Sequence, residues 1–547
     1  MKFRMRQTVF KIVVLVLMIV SIISCANRGT PSGGEMDILP PKIIKSTPEN
    51  FSTNFNGKEI RIYFDEYIKI KDVQKQLIIS PPMDPEPDIT PLGSASKYIK
   101  IIIKDTLEAN TTYAFNFGQS IVDNNEENPY PYYRYVFSTG DYIDSLSVKG
   151  TIMDAEKRVA DKFVSVMLYG VDSTFTDSII YNKKPKYITN TLDSLTSFSI
   201  DNIKAGKYLL VALKDENRNF TFQQKTDKIG FYDTFITVPS DSSYNIKLFK
   251  EVVDFRAERP KQIAGQKIAF GYEGDAKDMT IEMLDSIPDD FEVRLTKDPK
   301  ADTLYYWYKP KLELDSTRFV VRNKTYIDTL KHRFRDLEKD SLTIRAFPTG
   351  NINFDENFTL EGTIPFTKID ENRIKIIDKD SINVPFKTQY DSLKNTYSFQ
   401  FEKKESNAYS IKMLPEAFTD FFGNVNDTLN YTTRTKAFDQ YGNMRVSLVN
   451  AKYPVIVQLT DDKGAVKYEK FATEPRLFDF RYINPANYYL RVIFDGNGNQ
   501  QWDSGSYLKK RQPERVSYYP DLLDVRAGWD LVIEFILEKT DPDPPKN

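Results

Sequence analysis

The residues with the clearest capacity for chemistry are oxygen donors near the C-terminal end. Asp495, Asn497, Asn499, Gln501 and Asp503 occupy positions 1, 3, 5, 7 and 9 of the stretch DGNGNQQWD. Side-chain oxygens at four of these positions and a backbone carbonyl at Gln501 could wrap around Ca2+, which takes several hard oxygen ligands. Gly496 and Gly498 permit the tight backbone that such a loop needs. Ser506 stands at position 12, where a bidentate Glu would complete the set, and only two carboxylates are present, so affinity should be weak. A second loop with Asp215, Asn217, Asn219 and Asp227 is a poorer version of the first. The alternative for both is an Asx-rich turn whose side chains satisfy their own backbone. Calcium is thus the one candidate cofactor, and none is required. Asp123, Asn124, Asn125 and Glu126 form a further acidic turn, read as a solvated loop.

Catalytic groups are scarce. His332 is the single imidazole, and it sits in the basic run Lys331-His332-Arg333-Phe334-Arg335, read as exposed. A Ser-His-Asp triad would have to use it. The chain has no Gly-x-Ser-x-Gly elbow, no Walker loop and no dinucleotide fingerprint. Its 77 acidic residues supply many chance carboxylate pairs, and no motif singles one out. No catalytic residue is assigned, and a hydrolase is the distant third reading. Two aromatic runs, Tyr130 to Tyr135 and Tyr305 to Tyr308, could dock a glycan or a protein. The commoner source of such runs is the alternation of core and surface positions along a strand.

One further reactive group remains, the only Cys. Lys2, Arg4, Arg6 and Lys11 precede the apolar run Ile12–Ile23, which is shorter than the ~20 residues that span a bilayer. The run ends Ile22-Ile23-Ser24-Cys25, which resembles a bacterial lipobox. The resemblance implies cleavage before Cys25, diacylation of its thiol and acylation of its new amine. Acyl chains at ~0.8 kcal/mol per buried CH2 would anchor the chain stably. Ala26 follows, so the Asp that retains some lipoproteins at the inner membrane is missing, and the outer membrane is expected. Periplasmic or surface facing is left open. Loss of the four basic leader residues takes the formal charge from −2 to about −6. With 75 basic residues against 77 acidic ones there is no cationic excess for a nucleic-acid partner.

The elements that must position these groups read as strands. Ile60, Ile62 and Phe64 alternate with polar neighbours, as do Ile99, Ile101 and Ile103, and Leu531, Ile533, Phe535 and Leu537 follow the same period. Turn clusters such as Asn56-Gly57 and Asp462-Lys463-Gly464 punctuate them. Short helices are expected only near Val73–Gln76 and Arg333–Lys339. Internal repeats set the boundaries. IRIYFDEY, QLIISP, ANTTYAFNF and YVFST in the first part are echoed by INFDENF, RIKII, NAYSIKML and LNYTT. AGKYLLVALKDENRNF is echoed by ANYYLRVIFDGNGN. The layout is a signal peptide (1–24), a lipidated Cys with a flexible tether (25–37), and domains at 38–140, 141–250, 251–348, 349–438 and 439–547.

Pro40-Pro41, Ile60–Phe64 and the closing Phe137-Ser138-Thr139-Gly140 resemble the bacterial Ig-like domain of the SbsA type. With Cys25-Ala26, Gly33-Gly34, Pro48-Glu49-Asn50 and Gln76–Pro81, the stretch is similar to the Ig-like lipoproteins of Bacteroidota. Gly150, Val164–Leu168 and Ala205-Gly206-Lys207-Tyr208 resemble carboxypeptidase-regulatory or transthyretin-like sandwiches, with Ala486-Asn487 departing from that pattern in the second copy. Repeated Asp-Ser/Thr-Leu triplets, such as Asp105-Thr106-Leu107, resemble an O-glycosylation motif of that phylum; turn formation explains them as well. The fold class expected is all-β, with tandem Ig-like and transthyretin-like sandwiches after a lipoprotein signal peptide. The function expected is a lipid-anchored structural or protein-interaction module of the envelope with an envelope protein partner. A surface adhesin or glycan binder is the alternative.

Overall fold

The computed structural model describes residues 37–192, 195–285 and 287–538. The leader, Cys25 and residues 26–36 of the tether lie outside the described residues. So do Asp193 and Ser194 of one Asp-Ser-Leu triplet. Among the described residues no helix is long and apolar enough to cross a membrane.

The chain divides into two compact units: one ends at Ile143, and the other runs from Asp144 and also takes in Ser80–Pro82. The first unit is a single sandwich. One sheet holds Ile43–Thr47, Glu59–Ile70, Ser96–Ile102, Asp88–Thr90 and Ile121–Asp123, and the facing sheet holds Ile78–Ser80, Thr112–Asn116 and Arg134–Ser138. Alternation places Ile60, Ile62, Phe64, Ile99 and Ile101 between the sheets with Phe115 and Phe137 opposite. Asn50 ties the edge to the last strand: its Oδ1 accepts the Val136 N–H at 2.7 Å and its Nδ2 donates to the Arg134 carbonyl at 2.9 Å. The short helix Val73–Gln76 is present.

The second unit contains four sandwiches. The first and last of these are topological copies. In one, Leu146–Asp154 pairs antiparallel with Ser197–Ile203 and parallel with Ser243–Leu248. In the other, Gly442–Val449 pairs antiparallel with Phe478–Ile483 and parallel with Asp530–Ile536. The facing sheets centre on Gly206–Lys214 and Ala486–Phe494, each flanked by the equivalent four strands. Gly150 shows why this fold needs glycine at one point: a Cβ there would lie 1.9 Å from the Tyr244 carbonyl oxygen.

The sandwich that follows residue 340 repeats the topology of the first unit. Ile374–Ile377, Ala408–Met413 and Leu429–Arg434 form one sheet in that order, as Ile78–Ser80, Thr112–Asn116 and Arg134–Ser138 do. Two expectations need correction here. Ile344–Phe347 pairs with Phe358–Gly362, so this sandwich begins before the expected 348/349 boundary. The strand equivalent to Glu59–Ile70 is Phe358–Gly362, whereas most of INFDENF is loop. The expected helix at Arg333–Lys339 is not formed. The chain leaves Tyr326–Arg333 extended, and Gln262 captures it by accepting the Arg335 N–H at 2.7 Å and donating to the Arg335 carbonyl at 3.0 Å.

The four sandwiches of this unit make a closed circuit of contacts. The second and third of the chain's five sandwiches meet through the Lys225–Glu273 ion pair beside the connecting segment. The third and fourth meet where Trp307 packs with Ile364 and Phe421. The fourth and fifth share the ring cluster Phe354, Phe438 and Tyr482, with centroids 4.7–5.4 Å apart. The fifth folds back onto the second through Ser504–Gln512 and Arg491. Tyr306, Trp307 and Tyr308 are all buried because one face of their strand meets its own core and the other meets the next sandwich.

Candidate functional site

The two Asp-Asn loops occupy equivalent places, each following the central strand of a copied sandwich. Asp495 is fully buried; its Oδ1 accepts the N–H groups of Gly498 and Asn499 at 2.8 and 3.1 Å, and its Oδ2 that of Gln500 at 2.8 Å. Asp215 accepts the N–H groups of Asn217, Arg218 and Phe220 at 3.1, 2.6 and 2.8 Å. The third and fifth residues after each Asp have positive φ: Arg218 and Phe220, Gly498 and Gln500. Asn219 and Asn499 each accept the N–H two residues on.

Each loop is closed by a second carboxylate. Asp227 Oδ1 accepts the Glu216 N–H at 3.2 Å and Oδ2 the Gln223 N–H at 2.8 Å. Glu514 plays the same part, accepting the Gly496 N–H at 2.8 Å and the Asp503 N–H at 3.0 Å. Sequence reasoning passed over Glu514 because it lies beyond the spacing of any calcium loop. The signal was the Asp227 of the first copy. Burial pushes the Glu514 carboxyl up, and the neighbouring charges of Asp503 and Asp495 add to this against the two N–H donors. Burial likewise raises Asp215, opposed by the N–H groups of Phe220 and Arg218.

Asn497 and Asn499 both donate through Nδ2 to Asp503 Oδ2, at 2.5 and 2.9 Å. Gln501 is exposed, and its N–H goes to Asn499. The side chains thus bind the loop to itself, as Asx turns do. Among the described residues no group of three or more His, Cys, Asp or Glu side chains is placed to hold a metal ion.

The Asp123 turn is solvated at Asn125, Glu126 and Glu127, but Asp123 itself is not. Asp123 is buried, and its Oδ1 accepts the N–H groups of Asn125, Glu126 and Glu127 while Oδ2 accepts that of Asn128, all at 2.7–3.1 Å. Burial alone would raise its pKa, but the four N–H groups together hold it below the usual carboxylate range. Asp420 serves the copied sandwich in the same way, accepting from Phe422 and Asn424 at 2.8 Å.

His332 is not exposed either. It is the inward residue between two outward cations on Tyr326–Arg333, buried against Phe319 and Phe334 with ring centroids 6.2 and 5.1 Å away. Its Nε2 has no partner. Burial lowers its pKa, and the nearby charges of Arg335 and Arg259 do the same. A neutral imidazole walled by Phe rings has no route to a substrate.

The loop after Asp503 joins the fifth sandwich to the second. Ser504 Oγ donates to the Lys250 carbonyl, and the Tyr507 N–H donates to the Glu251 carboxylate. The Tyr507 ring is fully buried, edge-on to Phe231 with centroids 5.4 Å apart. Gln512 reaches the Phe231 carbonyl at 3.0 Å, and Lys510 pairs with Asp177 at 2.6 Å. Tyr518 donates to the Glu156 carbonyl at 2.9 Å, beside Arg491. The loops therefore act as struts that present this contact.

Residues 37–139 match the family model described as bacterial Ig-like domain, which covers the first sandwich. The class of protein defined by fold is therefore a tandem array of Ig-like β-sandwiches. A comparison with curated proteins yields no match. Among solved structures, the S-layer protein rSbsC(31-844) is similar at 11% identity over 89% of this chain and 67% of its own, with a TM-score of 0.17. The Bacteroides ovatus mixed-linkage glucan utilization locus SGBP-B matches at 10% identity over 69% of this chain and 93% of its own, with a TM-score of 0.19. The Bacillus anthracis TIE protein matches at 11% identity over 93% and 76%, with a TM-score of 0.14. At these TM-scores the three carry no argument about what this chain binds.

Proposed function

We propose that this chain is a non-enzymatic, lipid-anchored scaffold of the bacterial cell envelope, held in the outer membrane through Cys25. The closed circuit of the four sandwiches in the second unit supports the reading best. Buried rings make the third–fourth joint, and a buried ring with a buried carboxylate makes the fifth–second joint, so the unit presents a fixed surface to a protein partner in place of a flexible string. The acid–base balance of the sequence fits solubility beside an anionic membrane.

The test has two arms. Full-length chain and a Cys25→Ala variant are expressed in a Bacteroidota host with a labelled fatty acid. Label and membrane association are expected only in the unaltered chain; label in the variant would end the lipoprotein reading. Mild-detergent extraction of the C-terminally tagged chain should then recover a stoichiometric envelope protein. A solitary chain would end the scaffold reading and leave the lipid anchor untouched.

A further inference from the structure

We infer that the recess between the third and fourth sandwiches is a binding site for an anionic saccharide, one that carries carboxylate or sulfate groups. The inference is independent of the lipid-anchored scaffold reading. The recess holds about 420 Å3, within the range of small-ligand sites, and it lies at a junction of two sandwiches, where such sites concentrate. Its walls come from both: Tyr305 and Lys297 on one side, Arg345 and the Asp391–Thr396 turn on the other.

Charge decides the ligand class. Four cations and two carboxylates line the recess in a chain whose formal charge is −2. Lys267 is already committed: it pairs with Asp340 at 3.0 Å and lies 4.5 Å from the Tyr305 ring centroid. Lys297, Arg345 and Lys394 are exposed, and among the described residues their one ion pair is the long 3.9 Å contact of Lys394 with Asp391. Three cations at one mouth, against Glu361 opposite Arg345 and Asp391 beside Lys394, attract an anion.

The rest of the lining selects a saccharide over an acidic peptide. Ser341 and Thr343 line one wall with hydroxyls suited to a polyol, held there by Thr363, whose Oγ1 donates to the Ser341 carbonyl and accepts the Thr343 N–H, both at 2.8 Å. The rim is pre-formed. Tyr305 Oη donates to Asp298, and the Lys297 N–H donates to the Leu393 carbonyl at 2.7 Å across the junction. Asn395 fixes the turn by donating to the carbonyls of Gly362 and Ile364 at 2.6 and 2.8 Å. A site held this way loses little entropy when it binds.

The test is calorimetric titration of the full chain in mild detergent with oligogalacturonate, a sulfated dextran oligosaccharide, a neutral glucan oligosaccharide and oligoglutamate. One of the two acidic saccharides should bind, and which one does distinguishes carboxylate from sulfate recognition. Arg345→Gln with Lys394→Gln should weaken that binding by about tenfold or more, whereas Glu361→Gln should tighten it severalfold. All three are surface changes, and an unchanged melting curve will show that the fold is intact. Equal binding of oligoglutamate, binding of the neutral glucan alone, no binding of either acidic saccharide, or indifference to the three substitutions would each overturn the assignment.

Discussion

The Glu251 carboxylate accepts the backbone N–H of Tyr507, a residue 256 positions further along the chain. Glu251 is buried at the end of one sandwich, and its other oxygen takes the Gln224 amide at 2.9 Å. This pair closes the circuit that joins the fifth sandwich to the second. A buried acceptor with a polar partner on each oxygen is costly to break from either side.

Tyr507→Ala should therefore cost about 3–5 kcal/mol, the range for emptying a large aromatic from a packed site. Hydrogen exchange should rise in the Ser504–Gln512 loop and at Phe231 together, because the two share one contact. If the loop loosened while Phe231 stayed protected, the two sandwiches would not be coupled through this ring.

Asp123→Ala should destabilise the first sandwich by about 1–3 kcal/mol, since four N–H groups lose their buried carboxylate acceptor. The folded pKa of Asp123 lies below its unfolded value. Its stabilisation is thus fully present above the unfolded value of about 3.9 and is lost as pH falls through the lower folded value. Acid denaturation of Asp123→Ala should accordingly be shallower than that of the unaltered first unit, measured by circular dichroism.

His332 should make the third sandwich sensitive to mild acid. Its folded pKa is lowered, so the unfolded chain takes up the proton first as pH falls through about 6.5. Stability then declines and levels off below the folded value. His332→Leu should remove this decline, which urea melts on either side of neutral pH would detect. An identical pH profile in both chains would refute it.

Asp495→Ala should destabilise by about 1–3 kcal/mol and lower the melting temperature, because three loop N–H groups lose the carboxylate that accepts them. A chelator should leave the unaltered chain unmoved, because its loop oxygens are occupied by the loop's own N–H groups. A calcium-dependent rise in melting temperature that Asp495→Ala abolishes would restore the metal reading.

Much of the architecture was legible in the sequence because strands alternate with period two. Ile60, Ile62 and Phe64 announced their burial, and KDENRNF and FDGNGN announced a duplicated strand and loop. The same logic misread His332, whose cationic neighbours point outward while the imidazole points in. It misread Asp123, because local composition does not tell a carboxylate wrapped by backbone N–H groups from one in water. Glu514 was invisible because its partner N–H groups lie 11 and 18 residues away with no intervening pattern.

By itself the sequence determined the fold class, the order of the sandwiches, the pairing of repeats and the expectation of a lipid address at Cys25. These follow from local periodicity, turn chemistry and short motifs, which are properties of neighbouring residues. Only the tertiary structure decided that Tyr507 reaches Glu251, that Trp307 is buried on both faces of its strand, and that Lys297, Arg345 and Lys394 line one recess. Such contacts join residues tens to hundreds of positions apart, and they arise from the shape of packed surfaces, which no local pattern encodes.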